Sequence, residues 1–230
     1  MKPEEKLALL KSIKEKYTLT IPEYKGIQEM IAEEEATINK STNVKMGYGM
    51  IQKSVDRFIK EQLKDVAPTM DGIVFENDKK YICNGHMAVE IPVSFSGKEA
   101  SRSAHLGMEK YFGVDLNGFA DFQIGITAPE LKTMKKKAIA EAKLHRYWYK
   151  DSRLVYHLKD EDGDIIASYN VDYLIHALEM AQTDVIKVDP SKASVSAAYF
   201  VGEHCKALVL PIKCYGNNIK MTIEDRFAII

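Results

Sequence analysis

The stretch Tyr169 to Lys213, YNVDYLIHALEMAQTDVIKVDPSKASVSAAYFVGEHCKALVLPIK, constrains the fold more than any other part of the chain. Val171, Leu174, Ile175, Leu178 and Met180 fall near helical spacing, and the apolar Val185, Ile186 and Val188 follow them. β-rich segments then come around Val195 to Val201 and Ala207 to Ile212, closing on the apolar Leu210-Pro211-Ile212. A helix laid on an antiparallel sheet is the unit this order predicts. The same order occurs between Met46 and Val93, where a helical pattern of Ile51, Val55, Phe58, Ile59 and Leu63 precedes the strand-like runs GIVFEN and KYICNGHMAVEIPV. One supersecondary unit used twice is therefore expected. The fold class it implies is α+β, with helices packed on antiparallel sheets.

A chain of 230 residues, 46% hydrophobic, can bury a substantial core without staples. Lys and Arg number 32 against 33 Asp and Glu, a formal net charge of -1, so total charge neither marks nor excludes a nucleic-acid binder. The distribution of cations has to decide. Three cysteines, Cys83, Cys205 and Cys214, form no regular framework, and their odd number suits free thiols in a reducing compartment. The N-terminal MKPEEKLALLKSIKEKY is charged throughout and lacks the apolar core of a signal peptide. No apolar run reaches membrane-spanning length, so a cytoplasmic protein without a membrane partner is expected.

Residues 1–45 read as a helical N-terminal extension. Leu7, Leu9, Leu10 and Ile13 mark a short amphipathic helix; Pro22 interrupts before a second pattern with Ile27, Met30 and Ile31, which ends in the acidic run Glu33-Glu34-Glu35. Its lysines and glutamates nearly cancel, as in a solvated helix pair. Residues 46–230 form the main domain, with half-units at about 46–98 and 165–215 and an insertion at 99–164. Within the insertion, a Ser-, Gly- and Ala-rich connector leads to the helix PELKTMKKKAIAEAKLHRYW, opened by Pro129 in the first turn. Strand-like runs then flank the turn Asp160 to Asp164, where Gly163 is free to take positive φ.

The signals for catalysis or metal binding are thin. Cys83-x-x-His86 and His204-Cys205 offer two thiols and two imidazoles, but the spacing lacks the paired knuckles of a zinc site. Asp160, Glu161, Asp162 and Asp164 lack the ordered spacing of a calcium loop. There is no G-x-S-x-G, no H-E-x-x-H and no phosphate-binding Walker loop. Tyr147-Trp148-Tyr149, beside Arg146 and Lys150, suits either a stacking platform for single-stranded nucleic acid or the packing of a helix on a sheet with Trp148 inside. No catalytic residue, metal or cofactor is expected.

Two motifs carry a resemblance. The run G-I-V-F-E-N-D-K-K-Y-I-C-N-G-H-M-A-V-E-I-P, after an apolar helix, resembles the half-domain of DNA polymerase sliding clamps, in which an inner helix precedes strands bearing a T-D-G-H-like turn. Here that turn is Cys83-Asn84-Gly85-His86. The later N-V-D-Y-L-I-H-A-L-E-M through A-L-V-L-P-I-K is similar to the closing half-domain of bacterial-type clamps and of clamp-like proteins of phages and prophages. In those proteins an N-x-x-Y-L-x-x-A-L helix and a terminal L-M-P-hydrophobic strand are typical.

The resemblance implies a sliding-clamp-like fold and a non-enzymatic processivity factor of DNA replication. It also implies a homo-oligomer whose basic helices contact the phosphates of duplex DNA without reading sequence. The residues that suit such contacts are Lys53, Arg57, Lys60 and Lys64, which share one helical stripe, and Lys132, Lys135, Lys136, Lys137, Lys143 and Arg146 on the later helix. On the helix from Val171, Asp172 and Glu179 are the only formal charges. The family's partner pocket takes short apolar peptides of DNA polymerase or other replication proteins. Leu210, Pro211 and Ile212 match it, with Tyr173 and Leu174 from the preceding helix motif. A plainer reading makes the lysines solvated helix faces and Leu210 and Ile212 strand core. The tail, residues 215–230, could add a strand, cover the pocket or swap to a neighbour, with Asn217-Asn218 as a turn. Two other functions stay open: a clamp-fold protein-binding adaptor that does not encircle DNA, and an enzyme with a site the sequence does not reveal.

Overall fold

Two stretches of this chain run from a helix into a three-stranded meander. The computed structural model describes residues 1–62, 71–100, 107–144, 152–212, 221–223 and 227–229. In the first unit, α3 (Gly49–Gln62) leads to β1 (Val74–Glu76), β2 (Lys79–Cys83) and β3 (Met87–Ile91); in the second, α6 (Val171–Ala181) leads to β7 (Val185–Val188), β8 (Ala198–Val201) and β9 (Lys206–Val209). The last strands of the two units pair antiparallel, Met87 opposite Val209 and Glu90 opposite Lys206. With β4 (Ala120–Gln123) at one edge, they form a seven-stranded sheet of order β1-β2-β3-β9-β8-β7-β4, in which the six strands of the two units are palindromic about the β3–β9 pair. A second sheet contains β10 (Met221–Ile223), β11 (Phe227–Ile229), β5 (Leu154–Lys159) and β6 (Ile165–Asn170), in that order. The protein is α+β, with helices on antiparallel sheets.

Local chemistry sets these elements. Asn77 and Asp78 both take positive φ, 51° and 58°, which suits a tight two-residue hairpin whose twist matches its strands. Asn84 Oδ1 accepts from the backbone N–H groups of His86, at 3.0 Å, and Met87, at 2.8 Å, while Gly85 takes φ 84°. Helix α5 (Ala128–Leu144) starts where Thr127 and Glu130 form a reciprocal cap: the Thr127 backbone N–H donates to the Glu130 carboxylate at 2.8 Å, and the Glu130 N–H to the Thr127 hydroxyl at 3.4 Å. The Asp160–Asp164 turn closes on itself, with Gly163 at φ 89°.

Alternation along the strands gives the large sheet two apolar faces. Ile82, Met87, Val89, Ile186, Val188, Phe200, Ala207 and Val209 face the main core, which also takes in α3, α5, α6 and the inner face of the small sheet. Tyr81, Cys83, Ala88, Tyr199 and Leu208 face the other way, onto Met108 and Phe112 of the segment holding the short helix α4 (Glu109–Phe112). Gly202, in the β8–β9 turn, lies so close to the end of α6 that a Cβ there would meet the Ala181 carbonyl oxygen at 1.7 Å.

At the N-terminus, α1 (Pro3–Lys16) and α2 (Ile21–Lys45) form a hairpin. The run Glu33-Glu34-Glu35 lies inside α2, and does not end it as the sequence reading expected. Lys6 pairs with Glu34 and Lys11 with Glu35, at 2.8 Å for the latter, so lysines of α1 neutralise the run that would otherwise repel itself. Pro22 sits in the first turn of α2, where its missing N–H is harmless. The root of the hairpin is polar. Asn43, fully buried, donates to the Gln52 side chain and, at 2.6 Å, to the Ser96 carbonyl, and accepts from the Ser96 N–H at 2.9 Å; Gln52 in turn donates to Asp56.

Two strand boundaries differ from the sequence reading. Val195 lies in a turn held by Lys192, and β8 begins at Ala198. Leu210-Pro211-Ile212 is no strand. The Leu210 N–H donates to the His86 carbonyl at 2.8 Å and the Ile212 N–H to that of Ser168 at 2.7 Å, so this tripeptide crosses from the large sheet to the small one. Pro211, without an N–H, suits the crossing.

Candidate nucleic-acid interface

Helix α6 packs against α3 on one side and α5 on the other. Apolar residues explain its place: Val171, Leu174, Ala177 and Leu178 are buried, and Asn170 caps the helix by accepting from the Asp172 N–H at 2.8 Å. Asp172 and Glu179, seven residues apart, lie on one stripe of the helix. Both are answered by cations of the flanking helices. Glu179 pairs with Arg57 of α3 and Lys132 of α5, and accepts from the Ser54 hydroxyl at 3.0 Å. Asp172 pairs with Lys135 of α5.

His176 is buried between these acids and α3. Its Nε2 lies 2.9 Å from a Glu61 carboxylate oxygen, its Nδ1 3.4 Å from Ser54 Oγ, and its ring meets Phe58 edge-on, centroids 5.4 Å apart. The hydrogen bond from His176 holds the Glu61 carboxyl below its usual range, against an opposing effect of burial. Desolvation, then Arg57 and Lys136, lower the proton affinity of Lys132. Ser54, His176 and Glu61 bring a hydroxyl, an imidazole and a carboxylate together, yet Ser54 is 1% exposed and donates to Glu179. It has neither a path to a substrate nor a free proton for His176 to take.

The cations expected from the sequence thus divide. Arg57, Lys132 and Lys135 are held by acids of α6. Lys53 and Lys60 are exposed two turns apart on α3, with the exposed Asp56 between them, and Lys136 and Lys143 are likewise exposed on α5, so a pair of exposed lysines lies on each helix that flanks α6. Lys137 is exposed about 100° round α5 from Lys136. Lys64 and Arg146 lie outside the described residues, as do Tyr147, Trp148, Tyr149, Cys214 and the Asn217-Asn218 turn.

The five positions matched to a partner pocket are brought together only in part: Tyr173 stacks on His86, whose carbonyl accepts from the Leu210 N–H, while Leu174 lies in the core. Leu174 is fully buried in the main core, whereas Leu210 packs with the cluster on the opposite face of the large sheet. Tyr173 is half-buried and stacks on His86, centroids 6.0 Å apart and planes 16° apart. Pro211 and Ile212 are half-exposed on the crossing between sheets. A cleft of about 400 Å³ lies elsewhere, between α2 and α3, floored by Val55, Ile59, Ile73 and Phe95.

Among the described residues, no three of His, Cys, Asp and Glu are grouped to hold a metal ion. Cys83 and Cys205 lie on opposite faces of the large sheet, and burial raises the proton affinity of both thiols, that of Cys205 to a pKa of about 12. No described helix is long and apolar enough to cross a membrane. Comparison with protein-family models, with curated proteins and with solved structures returned no match.

Sequence reasoning missed Ser54, Glu61, His176 and Glu179 as members of one network. The signal was the pair Asp172 and Glu179, two acids on a single stripe of an otherwise apolar helix, which needs cations from its neighbours.

Proposed function

We propose that this chain is a non-enzymatic, DNA-associated protein of sliding-clamp type, touching duplex phosphates with the face formed by α3, α6 and α5. One observation carries the reading: the palindromic order of the six strands, in which two helix-plus-meander units meet at the antiparallel β3–β9 pair and lay their helices on the same face. The exposed pairs Lys53–Lys60 and Lys136–Lys143 then flank a central helix, a layout suited to the regular negative charge of a duplex. A chain with one such pair of units reaches around DNA only as a closed homo-oligomer. Protein partners such as DNA polymerase would dock on a separate apolar surface near Tyr173 and Pro211.

Duplex binding by fluorescence anisotropy across a salt series, with light scattering for mass, tests this. The expected result is a closed oligomer whose affinity falls steeply with salt, with a slope of roughly -4 or steeper in log affinity against log salt. Lys53→Glu with Lys60→Glu should abolish it. A monomer that ignores DNA at low salt overturns the reading in favour of the protein-binding adaptor. The neutralisation of Arg57, Lys132 and Lys135 by α6 favours that second reading.

A further inference from the structure

Glu179 occupies a cradle whose chemistry is that of an oxyanion site. A hydroxyl and a guanidinium from α3 and an ammonium from α5 converge on one carboxylate supplied by α6. We infer that Arg57 and Lys132 form a phosphate-binding subsite, and that Glu179 is its built-in occupant, which gives up the two cations when a phosphate diester arrives while the buried Ser54 hydroxyl stays on the carboxylate. The inference rests on the reading of the three-helix face as the duplex-binding surface.

Three observations support an exchangeable occupant over a structural tie. The Glu179 side chain is 15% exposed, but those of Arg57 and Lys132 are 35% and 36% exposed, so both cations already reach solvent and can turn toward an incoming anion. The packing of α6 does not need the pairs, because its apolar face is buried against both neighbours and both sheets, and partly exposed ion pairs contribute little beside such burial. The Asp172–Lys135 pair, two turns nearer the start of α6, is a second acid of α6 that holds a cation of α5. Arginine and lysine bind phosphate oxygens with the hydrogen bonds they now give to a carboxylate. A resident carboxylate weakens binding to any single stretch of DNA, which suits a protein that must move along it.

The test compares the wild type, Glu179→Gln, Glu179→Asp and the double variant Glu179→Gln with Arg57→Ala. Each is measured for binding of a fluorescent 20-base-pair duplex across a salt series and of inorganic phosphate by ³¹P NMR. Circular dichroism checks folding, and Glu179→Asp, whose shorter side chain cannot span both cations, substitutes if the glutamine variant does not fold. Glu179→Gln should bind duplex about tenfold tighter than wild type, with a salt slope steeper by roughly one to two. Restoring weak binding in the double variant would complete the support. If wild type and Glu179→Gln bind duplex equally, the subsite is overturned while the DNA reading stands. If none binds duplex but Glu179→Gln alone takes up phosphate, the DNA reading fails and the anion subsite stands. No phosphate or duplex binding by any form overturns the subsite.

Discussion

The two helix-plus-meander units share a topology and differ in what their helices do. Helix α3 keeps a polar outer stripe that includes Lys53 and Lys60, as an amphipathic surface helix should. Helix α6, walled in by α3 and α5, is apolar almost all round and offers solvent only parts of Asp172, Tyr173 and Glu179. The turns of the two meanders differ in the same sense. Gly85, between β2 and β3, has open space around it and serves its positive φ; Gly202, between β8 and β9, presses on the end of α6. The second unit is the tightly fitted one, and the first retains freedom at its surface.

The largest expected effect exploits the two glycines. Gly202→Ala should lose about 3 kcal/mol or more in urea denaturation, because the Ala181 carbonyl has nowhere to go, whereas Gly85→Ala should lose only about 1–2 kcal/mol for its left-handed backbone. Equal losses would dissolve the contrast. Next, Leu174→Ala, at the centre of α6, should cost about 2–5 kcal/mol, and Ile59→Ala, half-buried on α3, about half as much by the same measurement.

A smaller effect lies in the second sheet, outside both units. His157 is buried beside Ser168, and desolvation, then Lys159, keep it neutral below its ordinary range. The unfolded chain therefore binds the extra proton first. This part of stability is whole above about pH 6.5 and declines as pH falls, at no more than about 1.4 kcal/mol per unit. Urea midpoints between pH 7 and pH 5 should fall for wild type and fall less for His157→Gln. The smallest effect is a gain. Gln182 ends α6 in the left-handed region at φ 55°, so Gln182→Gly should raise the unfolding free energy by about 0.5–1 kcal/mol in urea denaturation.

Much of the fold was legible because it is local. Helical spacing placed α3 and α6, and the turns at Asn84-Gly85 and Gly163 were written in their residues. Two features were not, for reasons of distance. The junction of β3 with β9 joins strands far apart in the chain, and nothing within either strand names its partner. The Arg57–Glu179 contact spans 122 positions, so the sequence could show an acid needing a cation without showing which cation. The continuation of α2 through its acidic run depended on lysines of another helix. For the candidate interface, the sequence supplied the lysines but not their division into held and exposed.

The buried Asn43 has a mechanical consequence. Helix α2 has 25 residues, a stiff boom of roughly 37 Å, and Asn43 near its end is the polar pivot. A tilt of about ten degrees there carries the far tip roughly 6 Å. Because Asn43 grips Gln52, and Gln52 grips Asp56, a load on the tip is delivered to the helix that displays Lys53 and Lys60.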